Sequence, residues 1–134
     1  MTNWAETIAE ELRDLVTDTD VYSNVDPTRE WNGRQTVEVN VNSVMRVPLI
    51  DGGAYLDHNI VVACRALTYD AAADLALEIQ HDLYYMTDSY VAARKAIDAL
   101  LKGVEISPDV RGIVEGASFY GVINLVIVTK EDNL

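Results

Sequence analysis

Hydrophobic positions near the N-terminus recur at helical spacing. Trp4, Ile8, Leu12 and Leu15 form one stripe, and Glu6, Glu10, Glu11 and Asp14 occupy the other side. Asn3, three residues before Glu6, reads as an N-cap with its capping-box partner, and the helix should fade near Val16–Asp18. Val21–Val25 reads as a short strand closed by Asp26-Pro27, and Thr28 to Gln35 as a loop. The period then becomes two. Val37, Val39, Val41, Met45 and Val47 alternate with Glu38, Asn40, Asn42 and Arg46, predicting a long strand with one buried and one wet face. Ser43 and Val44 break the alternation, and Pro48 ends the strand.

Asp51-Gly52-Gly53 is a turn signal, with Ala54–His58 completing a hairpin connection or a longer excursion. Asn59–Leu67 is almost continuously apolar, as central strands covered on both faces are. A second helix is predicted from Asp70, read as its N-cap, through Met86, on the stripe Leu75, Ile79, Leu83 and Met86. Thr87-Asp88-Ser89 is then a cap or a bend, and Tyr90 to Lys102 is helical by composition, with Gly103 as C-cap. Val104–Gly116, interrupted by Pro108, suits an edge strand or a turn between two short pieces. Phe119–Thr129 is apolar on both faces.

The predicted order is α-β-β-β-α-α-β-β in a single domain spanning 1–134. That pattern favours an α+β fold, a mostly antiparallel four- to five-stranded sheet with helices packed on one face. Two strands are apolar on both faces, yet the helices cover only one. The second face should therefore meet another sheet, a folded-back loop or another subunit, and oligomerisation is the economical answer.

Composition narrows the partners. Against 22 Asp and Glu stand 10 Lys and Arg, a net charge of −12. Phosphate neutralisation needs clustered cations, so an autonomous nucleic-acid binder is disfavoured, as is adsorption to anionic lipid. Met1–Glu6 lacks the basic and apolar runs of a signal peptide, and no apolar run reaches the roughly 18 residues of a membrane helix. A soluble, cytosolic-type chain is expected.

Catalytic sets are thin, and the chain reads as a non-enzyme without cofactor or metal. Glu78 and His81 have metal-helix spacing but no second such pair, so His81 reads as solvated. His58, beside Asp57, reads as a loop residue, and the lone Cys64 as a buried structural thiol. Gly52-Gly53 lacks the Lys and Ser of a phosphate loop. Clustered acids such as Glu10-Glu11 read as solvated faces. Among the aromatics, Trp4, Tyr84 and Phe119 are assigned to the core. Tyr55 and Trp31 are interface candidates, Trp31 because it sits in a loop among Arg29, Glu30 and Arg34.

The segment Ile60 to Leu83 adds a resemblance. An apolar strand ending in Arg65-Ala66 is followed by Thr68-Tyr69-Asp70. A helix then opens on Ala71, Ala72 and Ala73 and continues through Leu75, Ala76, Ile79 and Leu83. This run resembles the tail terminator proteins of long-tailed bacteriophages, also described as minor capsid or neck proteins. The plan is similar as well: an N-terminal amphipathic helix, a central hairpin, and a closing strand pair like Gly116–Gly121 leading into Val122–Val128. Tyr90–Lys102 is longer than the plainest members would have.

The resemblance implies a virion structural protein, assembled in the host cytoplasm. It would form a homo-oligomeric ring, typically a hexamer, on the end of the tail tube. Such a ring stops tube polymerisation and offers the surface for head–tail joining. Its partners would be further copies of itself, the tail tube protein and a head-completion or connector protein. DNA would pass through without specific binding, and no membrane is involved. The interface candidates are then Arg29, Trp31, Arg34, Tyr55 and Arg65, with Arg65 expected to pair with Asp70, Asp74 or an adjacent subunit. An acidic lumen would repel phosphate. Two alternatives stand beside this reading: a head-completion or connector protein of the neck, and a small dimeric bacterial α+β regulatory domain.

Overall fold

Helix α1 runs from Trp4 to Leu15, and the chain then enters a sheet. A computed structural model describes residues 3–25, 31–109 and 118–131. The Asn3 side chain caps α1 by accepting from the Glu6 amide at 3.2 Å, as its sequence signature predicts. Trp4, Ile8 and Leu12 are buried, but Leu15, at the last turn, is exposed.

The sheet contains β1 (Asp20–Ser23), β2 (Thr36–Pro48), β3 (Ala54–Ala66), β4 (Asp98–Asp109) and β5 (Ser118–Lys130), in the spatial order β1-β2-β3-β5-β4. β1 pairs with β2 in parallel, and every other pairing is antiparallel. The class is α+β with a largely antiparallel sheet. β3 lies at its centre and starts at Ala54, five residues before the expected strand, so Ala54–His58 is ladder and not connection. The tight turn stays at Asp51-Gly52-Gly53: Gly52 has φ +93°, and the Gly53 amide donates to Asp51 Oδ1 at 3.1 Å.

Helix α2 spans Tyr69–Ala92 without interruption. Its N-cap is Thr68, whose hydroxyl accepts from the Ala71 amide at 3.2 Å; Asp70, the predicted cap, lies within the first turn. Thr87 and Ser89 return their hydroxyls to the carbonyls of Tyr84 and Met86, so neither breaks the helix.

The predicted helix Tyr90–Lys102 does not form. The backbone leaves α2 through Ala93 and through Arg94, which has φ +59°, and the Ile97 amide then bonds the Val128 carbonyl at 2.7 Å. From Asp98 the chain is β4, with Gly103 inside a register shift between Leu101 and Val104 and not at a helix end. Ala, Leu and Lys favour helix intrinsically, but pairing with β5 supplies both a hydrogen-bond ladder and core contacts for Leu101 and Val104. The observed order is therefore α-β-β-β-α-β-β. Pro108 sits in β4 at the sheet edge, as its missing N–H requires. The end of the predicted strand near Gly116 lies outside the described residues.

Both helices pack on one face of the sheet. Ile8, Leu12, Val37, Val39, Ile60, Val62, Leu75, Ile79, Leu83, Ile123, Leu125 and Ile127 fill the layer between. α2 approaches most closely at Gly121, where an added Cβ would lie 2.5 Å from Ala76 Cβ and 3.2 Å from the Ala72 carbonyl oxygen.

Candidate functional site

Among the described residues no helix lies on the other face of the sheet, and alternation decides what that face presents. On β3 the even residues Ile60, Val62 and Cys64 enter the core, which directs Tyr55, Asp57, Asn59, Val61, Ala63 and Arg65 outward. Their partners on β5 are Lys130, Val128, Val126, Asn124, Val122 and Tyr120. Val61, Ala63, Val122, Val126 and Val128 form a half-buried apolar band, and Leu100 of β4, opposite Val126, extends it into the exposed edge.

At one end a folded-back loop covers this face. Arg65 stands opposite Tyr120 on β5 and Thr36 on β2. Its guanidinium lies 4.4 Å from the Trp31 ring centroid and 5.1 Å from that of Tyr120, and its Nε donates to Ser118 Oγ at 3.2 Å. Cation–π attraction of this kind contributes about 1–2 kcal/mol when partly desolvated. The Trp31 indole N–H is shared between the Arg34 carbonyl at 2.8 Å and Thr36 Oγ1 at 3.1 Å. Gly33, at φ +83°, and an Asn32 side chain accepting from the Arg34 amide shape the turn. Arg34 itself reaches Asp20 at 3.6 Å across an exposed surface.

Arg65 thus departs from the expected pairing with Asp70 or Asp74. Its odd position on β3 aims it at the open face, whereas both acids belong to the helix packed on the opposite face. Trp31 and Arg65 come together, with Arg34 beside them. Tyr55 lies far along β3, between Val47 and Lys130. Arg29 lies outside the described residues. Ser118, Tyr120 and Thr36 were not legible as partners, because only the register of three strands aligns them.

The far half of β2 and the turn that follows it are exposed. The break at Ser43 and Val44 is a β-bulge between Val41 and Ser43, and it transfers Met45 and Val47 from the core face to the open face. Met45 is 59% exposed and Ile50, at the tip, fully so. Beyond the four β1 pairs, no strand among the described residues covers the outer edge of β2.

On the covered face, His58 is a strand residue, 2% exposed, and not the loop residue expected. Its Nε2 is 2.9 Å from Thr129 Oγ1, and its ring lies 6.4 Å from Trp4. Burial lowers its pKa, and Asp57 opposes this to a smaller extent. Trp4 also meets Tyr90 edge-on at 5.2 Å, and the Tyr90 hydroxyl donates to Glu11 Oε2 at 2.7 Å. Burial, then Glu11, pushes the Tyr90 pKa upward, so its proton stays in place. Cys64 is buried with its thiol pushed up to about 12, which suits packing and not nucleophilic attack.

His81 is exposed with its ring against Tyr85. Tyr84, assigned to the core, is 60% exposed, because it falls on the side of α2 opposite Leu83 and Met86. Phe119 is half-buried, edge-on to Tyr69. Among the described residues no group of three metal-ligating side chains converges, and no helix is long and apolar enough to cross a membrane. No sequence model of a protein family and no curated protein sequence matches the chain.

Proposed function

We propose that the protein is a structural component of a phage-type tail, acting as a tail terminator whose copies form a ring on the end of the tail tube. The observation that carries this reading is the pairing of an open, apolar sheet face with an exposed end of β2 and its turn, which present Met45, Val47 and Ile50. Exposed apolar surface of this kind marks contact with neighbours. The β3-to-α2 segment, residues 60–83, on which the resemblance rests, supports the same reading: Arg65-Ala66 end the strand, and Leu75, Ile79 and Leu83 are buried on the helix that follows. In such a ring the acidic composition serves DNA passage, since a negative bore repels phosphate.

The test is co-expression with a tail tube protein from the same genome. Tubes should close at a bounded length with a ring at one end, visible by electron microscopy, and omission of this chain should leave tubes of unbounded length. A stable dimer that leaves tube length unchanged would favour the regulatory-domain alternative. A ring with a neutral or basic bore would remove the role given to charge.

A further inference from the structure

The outward face of α2 is an apolar surface that the ring reading does not use. At about 100° per residue, Leu77, His81, Tyr84 and Tyr85 fall within one arc of roughly 100°, opposite the buried Leu75, Ile79, Leu83 and Met86. Leu77 and Tyr85 are 59% and 64% exposed, close to the value for Tyr84. The rings meet one another: His81 lies edge-on to Tyr85 at 4.9 Å, and Tyr84 to Tyr85 at 6.2 Å.

The charges on α2 itself have one sign. α2 contains Asp70, Asp74, Glu78, Asp82 and Asp88 and no Lys or Arg, and the nearest cations along the chain, Arg94 and Lys95, lie past its end. Asp70, Asp74, Glu78 and Asp82 follow one another at i, i+4 spacing, where like charges repel. Asp88 sits toward the C-terminus, where the helix dipole disfavours an anion. This helix therefore accepts local electrostatic cost while exposing π-faces beside carboxylates. Both features are complementary to arginine, which stacks on aromatic rings and pairs with carboxylates.

We propose that the outward face of α2 docks an arginine-bearing amphipathic segment of another protein. Its guanidinium groups would lie over Tyr84 and Tyr85 and pair with Asp74, Glu78 and Asp88, and its apolar side chains would cover Leu77. A second copy of this chain does not fit, because two such faces would oppose five carboxylates to five. Phosphate-bearing partners are repelled for the same reason.

The full chain, labelled with nitrogen-15, is titrated with a short amphipathic peptide of leucine and arginine. A polyarginine peptide of equal length and an arginine-to-glutamate version serve as comparisons. Amide shifts confined to Asp70–Val91 support the proposal. So does an affinity that falls about tenfold or more in Tyr84→Ser/Tyr85→Ser and that is unaffected by Glu10→Gln/Asp14→Asn on α1. Both tyrosines are exposed, so the fold should survive, which the melting curve checks. Shifts spread equally over the α1 acids, polyarginine binding as tightly as the amphipathic peptide, or a homodimer abolished by the tyrosine pair would each overturn it.

Discussion

The His58 imidazole, held between Trp4 and Thr129, resists protonation because burial disfavours its charged form. The sign of the consequence follows from linkage. Below the ordinary value of 6.5, the unfolded chain takes up a proton at His58 that the folded chain refuses, so stability is full above that pH and declines as pH falls below it. Melting temperature should drop between pH 7 and 5, and His58→Phe should flatten that slope. Gly121→Ala tests packing at the same scale. Its new methyl would meet Ala76 and Ala72 on α2, and chemical denaturation should show a loss of about 1–3 kcal/mol.

Elements begin and end where local chemistry and tertiary pairing agree. Thr68 caps α2 directly, so Thr68→Ala should lower stability by about 1 kcal/mol, with a smaller loss for Asp70→Asn, which touches only the helix dipole. Thermal melts of the two variants distinguish these roles. The missing third helix has the same origin on a larger scale. Residues 98–102 carry helix-compatible composition, but β5 offers them an open edge, and Leu101 gains core contacts only as a strand. The β2 bulge is a second such case: Ser43 and Val44 interrupt the alternation, but the expected single buried face running on through Met45 and Val47 is lost to the phase shift that the extra residue introduces.

For the whole molecule, Arg65 links the sheet, the Trp31 loop and the open face that the ring reading places between copies. Arg65→Ala should lower the melting temperature or weaken assembly, measured by denaturation and by light scattering over a range of concentrations. A variant unchanged in both would remove the role given to this residue. A double-mutant cycle with Trp31→Leu should return a coupling of about 1–2 kcal/mol for the stacked pair.

Much of this architecture was legible because its cause is periodic. The α1 stripe and its Asn3 cap, the α2 core face, the Asp51–Gly53 turn and the two-faced apolarity of β3 and β5 are each consequences of spacing along one segment. Three features needed the folded chain: the strand identity of residues 98–102, the burial of His58, and the meeting of Arg65 with Trp31 and Tyr120. Each depends on which strand lies next to which. Register brings together residues that are tens of positions apart, and no local pattern encodes that distance.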